Sequence, residues 1–237
     1  MQSITLAQSV AAVRDRMARA ARQSGRQPGD ILLCAACKAQ DSPVVRESAS
    51  LDIDLFGENR AQELRAHLED GAYAGKPVHF IGHLQTNKVR QVVGVAALIQ
   101  SVDRENLLEA IAQEAEKRGI RQEILIEINL GLEDSKSGAA AEGLRPLLEQ
   151  SSALSAVRVR GLMAIPPVTA SGEAARPYFA ALRELMEKAN AWGILRERMD
   201  TLSMGMSGSY EQAILEGATL VRVGRDLYGE RPARPSP

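Results

Sequence analysis

Lys38 directly follows the apolar run Ile31-Leu-Leu-Cys-Ala-Ala-Cys37, which places a primary amine where a buried strand reaches the edge of its sheet. Low-dielectric surroundings weaken a lysine's preference for the ammonium form, and the free amine can attack an aldehyde to give a Schiff base. The alternative is a snorkelling lysine, its stem laid over the sheet end and its charge in water. Two thiols, Cys34 and Cys37, share the run in a C-x-x-C spacing. Residues three apart on an extended strand face opposite sides, which argues against a disulfide or a shared metal, and no second ligand pair accompanies them. His79 and His83, four residues apart on a strand, stand roughly 13 Å apart and suggest no metal either. Arg222 interrupts the apolar run Leu220-Val-Arg-Val223. A buried guanidinium needs acceptors, which a ring nitrogen of a bound heterocycle or a partly buried carboxylate such as Glu58 would supply.

These side chains require a scaffold, and the apolar pattern supplies one. Strands are expected at Ile31 to Cys37, Ile53 to Phe56, Val78 to Ile81, Ala97 to Ser101, Glu123 to Asn129, Val157 to Ala164, Thr201 to Met204 and Thr219 to Val223. Helical spacing marks Asn59 to Leu68, Arg104 to Arg118, Ala139 to Gln150, Ala174 to Ala191 and Tyr210 to Glu216. Gly119, Gly193 and Gly217 stand where helices should end. Eight strands that are apolar on both faces and alternate with helices predict an α/β fold, a single (β/α)8 TIM barrel. A doubly wound open sheet would carry a glycine-rich loop after its first strand, and Lys38-Ala-Gln-Asp-Ser-Pro43 contains no glycine. The barrel is expected over 1–231, followed by a loose tail over 232–237.

In such a barrel the polar residues that do chemistry collect after the strand ends. Lys38 follows the first strand, Gly57-Glu58-Asn59 the second, Gly82 to Lys88 the third, Ser203 to Ser207 the seventh, and Arg222 to Arg225 the eighth. Barrels often bind phosphate through the loops after strands seven and eight. Ser203, Gly205, Ser207, Gly208 and Gly224 offer hydroxyls and approachable backbone amides there. The structural alternative is that Ser207 or Ser209 caps the next helix and the glycines serve turns. A lysine, a phosphate site and a ring-facing arginine are the minimum kit for pyridoxal phosphate.

Composition narrows the partners. The chain has 237 residues, 29 basic and 30 acidic side chains and a formal charge of -1, so no global field attracts nucleic acid or an anionic membrane. Aromatics are 3% against 45% hydrophobic residues, so the core must be aliphatic and closely packed. Leu6, Val10, Val13 and Met17 share one face of an opening helix. Among scattered arginines that face resembles a targeting sequence, but Asp15 and the direct run into the first strand favour a helix packed on the domain. The expected location is the cytoplasm, where two buried cysteines stay reduced.

Six strings together resemble the pyridoxal phosphate homeostasis protein family, in the family's order, from about the first helix to Gly229. They are Phe56-Gly-Glu-Asn59, His79-Phe-Ile-Gly82 with Leu84-Gln-Thr-Asn-Lys88, Ser135-Lys-Ser-Gly138, Gly161-Leu-Met163, Leu202-Ser-Met-Gly-Met-Ser207 and Val221-Arg-Val-Gly224. The resemblance implies the barrel domain of alanine racemase without its second domain, with pyridoxal 5'-phosphate (PLP) as cofactor. It further implies a Schiff base at Lys38, phosphate contacts from Ser203, Ser207 and Gly224, Arg222 facing the pyridine nitrogen, and Asn59 near the ring. The chain departs from the family at three positions: Cys37 replaces a usual serine, Ala39 a threonine or larger residue, and Arg225 a serine or threonine beside the phosphate. At Arg225 the lost hydroxyl weakens the grip on the anion while the added guanidinium strengthens it.

The function this implies is non-catalytic: reversible holding of PLP in vitamin B6 and amino-acid homeostasis, with PLP-dependent enzymes as candidate partners and no catalytic or metal-binding residue. The alternative is a PLP-dependent amino-acid racemase, which needs a second base opposite Lys38. Tyr210 and Tyr228 are the tyrosines near the closing loops. An arginine at the pyridine nitrogen discourages its protonation and makes the ring a poorer electron sink. A closed barrel leaves no sheet edge, so a monomer is expected, with no nucleic-acid or membrane partner. Lys88 and Lys136 are read as exposed.

Overall fold

The structure, a computed structural model, describes residues 5–131, 137–167 and 169–229; the expected tail lies outside them. Eight parallel strands close into a barrel in chain order: β1 (Leu32–Ala36), β2 (Leu55–Glu58), β3 (Val78–Phe80), β4 (Leu98–Val102), β5 (Gln122–Ile128), β6 (Val157–Ala164), β7 (Thr201–Ser203) and β8 (Leu220–Val223). The α-helices are α1 (Leu6–Gln23), α2 (Ser42–Ala49), α3 (Ala61–Glu69), α4 (Val89–Val92), α5 (Glu105–Lys117), α6 (Leu144–Ala153), α7 (Arg176–Ala191), α8 (Tyr210–Leu215) and α9 (Arg225–Tyr228). The TIM-barrel expectation holds.

Both strand faces are buried, as the apolar runs required. Outward residues such as Leu33, Phe56 and Ile99 join the helices in one large core. Inside the barrel, Cys34, Leu55 and Leu220 form one small apolar group and Leu98, Leu125 and Met163 another. Cys34 therefore points inward while Cys37 belongs to the outer core, the opposed placement that their spacing requires. Ring closure pairs the first strand with the last: Cys34 lies opposite Arg222 and Ala35 opposite Val223.

Helix α1 starts with a capping box, the Thr5 hydroxyl accepting from the Gln8 amide and the Gln8 side chain accepting from the Thr5 amide. It buries Val10, Val13, Met17, Ala20 and Ala21. Its Arg16 pairs with Glu211 and Asp226 and lies 4.9 Å above the Tyr210 ring. This helix is thus packed on the domain, against the two closing helices. Gly119, Gly193 and Gly217 follow their helices at φ of 66°, 64° and 102°, as their positions predicted.

Some boundaries moved. The second strand begins at Leu55, because the Asp54 carboxylate accepts the Leu33 amide at 2.6 Å and so caps the ladder below it. Gly57 and Glu58 consequently lie within β2. The third helix begins at Ala61, which leaves Asn59 outside the helix and beside the barrel mouth. Helix α2, directly after the Lys38 loop, was not expected; Pro43 in its first turn suits it to start a helix there.

Candidate functional site

At the C-terminal end of the barrel lies a cavity of about 440 Å³, lined by the ends of β1, β2, β3, β6, β7 and β8. Lys38, Asn59, Ser207, Arg222, Gly224 and Arg225 all contribute to its wall, joined by Gln40, Ile81, Met206 and Tyr228. Six of the seven expected binding residues therefore share one cavity. Lys38 is half-buried there.

The seventh, Ser203, does not line it. Its side chain is fully buried beneath Arg222, its hydroxyl accepting from Arg222 Nη1 at 2.6 Å and donating to Gln100 Oε1 at 2.5 Å. Ser203, expected to contact phosphate, thus has its hydroxyl turned to Arg222 and Gln100. The reason lies in the register: Ser203 still belongs to β7 and points into the barrel, while Ser207 lies on the loop beyond.

Arg222 is 4% exposed, and burial lowers its pKa. Glu58 does not serve it; its acceptors are Ser203 and the Ala164 carbonyl, the latter at 3.1 Å. The chain continues downward. Gln100 Nε2 donates to His79 Nδ1 at 2.8 Å, which requires that nitrogen to be unprotonated. Burial agrees, pushing His79 down to about 4. A neutral relay thus props a charged guanidinium at the cavity floor, and the donors it leaves unused belong to a side chain that lines the cavity. Glu127, also inside the barrel, is pushed up to about 7 by burial, with Asp103 adding to the shift and Arg222 opposing it. Gln100 and Glu127 had a readable signal, a polar residue inside an apolar strand run, but only the barrel geometry joins them to Arg222.

The two closing loops are tied to each other. Ser207 Oγ accepts the Asp226 amide at 3.2 Å, and Gly205 O accepts the Arg222 amide at 3.0 Å. Gly205 adopts φ +91°, and a Cβ there would stand 2.5 Å from Ala213 Cβ, so only glycine serves. The capping alternative fails in its simple form, since Ser209 is the residue before α8 but makes no side-chain cap bond. On the opposite wall Gly82 lets β3 approach β2: a Cβ would meet the Asn59 carbonyl at 2.2 Å. Asn59 is thereby held at the rim, where its Oδ1 is buried without a partner among the described residues.

Tyr228 lines the cavity, whereas Tyr210 is fully buried under α1. Lys88 belongs to a smaller neighbouring cavity of about 170 Å³ with Asn59 and His83, and Lys136 lies outside the described residues. A half-buried amine, a buried arginine, and a hydroxyl loop with a second arginine form a donor set suited to a small anionic aldehyde, with Asn59 in the same wall. The residues present fit PLP.

A barrel with this cavity defines a class. Residues 9–232 match the family described as alanine racemase, N-terminal domain. The chain is 42% identical over 222 residues to the pyridoxal phosphate homeostasis protein of Aquifex aeolicus, covering 92% of this chain and 95% of that one. It is 38% identical to the protein of that name from Pseudomonas aeruginosa, covering 96% of each. Among solved structures, PipY of Synechococcus elongatus PCC7942 with PLP bound is 30% identical with a TM-score of 0.83, covering 95% of this chain and 100% of that one. The chain belongs to the pyridoxal phosphate homeostasis protein family.

Proposed function

We propose that this protein holds pyridoxal phosphate reversibly at Lys38 and acts in vitamin B6 and amino-acid homeostasis without turning amino acids over. The observation that carries this reading is the cavity that gathers Lys38, Arg222, Ser207, Arg225 and Asn59 in one wall. When bound, the cofactor supplies an aldehyde that a primary amine can capture. Lys38 provides that amine. Ser207, Gly224 and Arg225 receive the phosphate, and Asn59 meets a polar substituent of the ring. Arg222 carries only donors, so beside a ring nitrogen it favours the unprotonated form and blunts the ring's electron demand. A non-catalytic role is supported by that floor. The racemase alternative needs a base facing Lys38 across the cofactor; Tyr228 lines the cavity, but its hydroxyl is buried and burial pushes its pKa up, which suits it poorly as a base.

The protein is further proposed to act as a cytoplasmic monomer, with PLP-dependent enzymes as its partners. Borohydride reduction of PLP-loaded protein, followed by peptide mass analysis, tests the site: the pyridoxyl label is expected on Lys38 and is lost in Lys38→Ala. Label on other lysines alone would refute the assignment, and conversion of L-alanine to D-alanine at ordinary enzymatic rates would refute the non-catalytic role.

A further inference from the structure

Ala39, immediately after Lys38, has φ +61°, a left-handed conformation that disfavours a residue with a Cβ. Such a residue persists where its surroundings over-determine it. The backbone turn itself contributes one bond, from the Gln40 amide to the Cys37 carbonyl at 3.0 Å. The Gly57 carbonyl also holds Cys37, at 3.1 Å from its amide and 3.5 Å from its thiol, and a buried cluster on the outer side of β1 adds a further restraint. Glu58 is fully buried, and a single oxygen, Oε1, takes three contacts: Cys37 Sγ at 2.9 Å, His67 Nδ1 at 2.6 Å and Tyr73 Oη at 3.0 Å. The other ring nitrogen of His67 faces the Gln40 carbonyl at 3.1 Å, so Nε2 carries a proton and donates to it. One carboxylate oxygen thus reaches both flanks of Lys38, through the thiol of the residue before it and through His67 to the residue two after it.

A metal centre is the competing explanation, since Cys37, Glu58 and His67 bring a sulfur, an oxygen and a nitrogen together. The separations at Glu58 Oε1 favour hydrogen bonding. Ligands at zinc-like bond lengths stand roughly 3.3 Å or more from one another around a tetrahedron, whereas Oε1 lies 2.6 Å from His67 Nδ1 and 2.9 Å from Cys37 Sγ. These are hydrogen-bond distances.

We propose that Glu58 is a positioning residue for Lys38: with Cys37, His67 and Tyr73 it holds the Lys38-Ala39 turn in the geometry that presents the amine to the cavity. The inference rests on Lys38 being the point of cofactor attachment. It assigns a task to the Glu in Phe56-Gly-Glu-Asn59 and to Cys37, neither of which touches the cavity.

The test measures PLP affinity by absorbance titration and the rate of borohydride-trapped labelling at Lys38, using full-length protein. Cys37→Ala removes one donor to Glu58 and is expected to weaken binding and slow labelling by about fivefold, on the order of one modest hydrogen bond. Cys37→Ser keeps a donor and should restore both to within about twofold, a rescue that lost packing alone would not give. Glu58→Gln should exceed the effect of Cys37→Ala; if it fails to fold, the Cys37 pair still decides. Folded Cys37→Ala and Glu58→Gln proteins with wild-type affinity and labelling rate would overturn the proposal, as would Cys37→Ser no better than Cys37→Ala, or stoichiometric zinc retained through chelator dialysis. Lys38→Ala separates the two claims: unchanged affinity there removes Lys38 as the attachment point and the positioning role with it, whereas lost affinity there with normal Cys37 and Glu58 variants removes the positioning role alone.

Discussion

Glu127 makes the barrel interior sensitive to pH. Its carboxyl titrates at about 7 in the fold against an ordinary 4.5, because burial disfavours the charged form. The folded state therefore holds this proton more tightly than the unfolded chain does. The resulting stability is complete below about pH 4.5 and is lost as pH rises through 7, a change on the order of 3 kcal/mol. Glu127→Gln should remove that loss: in chemical denaturation the variant should match the wild type near pH 4 and exceed it by that amount at pH 8. His79, depressed to about 4, works in the opposite sense between pH 6.5 and 4 and is common to both proteins, so it cancels from the comparison. At this scale the sequence was informative wherever a residue broke its local pattern. Lys38 at the end of an apolar run and Arg222 within one were legible for that reason. Ser203 was not, because whether its hydroxyl reaches the loop or the barrel interior depends on where β7 stops, and the string Leu202 to Ser207 reads alike in either case.

At the scale of elements, the site depends on how closely strands approach at their C-terminal ends. The contact of Gly82 with the Asn59 backbone joins two of the recognisable strings, Phe56 to Asn59 and His79 to Gly82, into one structural unit. Gly82→Ala should force these strand ends apart and cost about 1–3 kcal/mol, as overpacked positions do. The accompanying displacement of Asn59 should lower PLP affinity beyond what the stability loss explains, and thermal melts paired with cofactor titration would check it. The order and kind of the elements were legible because strands buried on both faces give continuous apolar runs, and helices between them give three- and four-residue spacing. Their ends were less so. The shift of β2 to Leu55 follows from the Asp54 carboxylate engaging Leu33 across strands, a bond between distant residues that leaves no mark on local periodicity. The Glu58 cluster was hidden for the same reason: Cys37, Glu58, His67 and Tyr73 come from separate stretches and meet only after α3 packs on β2.

The whole molecule is a ring that closes by pairing its first strand with its last. Lys38 follows β1, while Arg222 and Gly224 belong to β8 and the turn after it, so the cavity's main walls come from opposite ends of the chain. Helix α1 reinforces the seam through Arg16 with Glu211 and Asp226, and Arg26 donates to the carbonyl of Ala218. Chains stalled on the ribosome should therefore take up no borohydride-trapped label at Lys38 until the segment through Arg225 has left the exit tunnel, a result that a series of stalled lengths would measure. Lys38 is synthesised well before β8, yet its cavity must wait for that strand. During translation the amine is therefore an ordinary lysine, and the cavity beside it exists only once β8 has paired with β1.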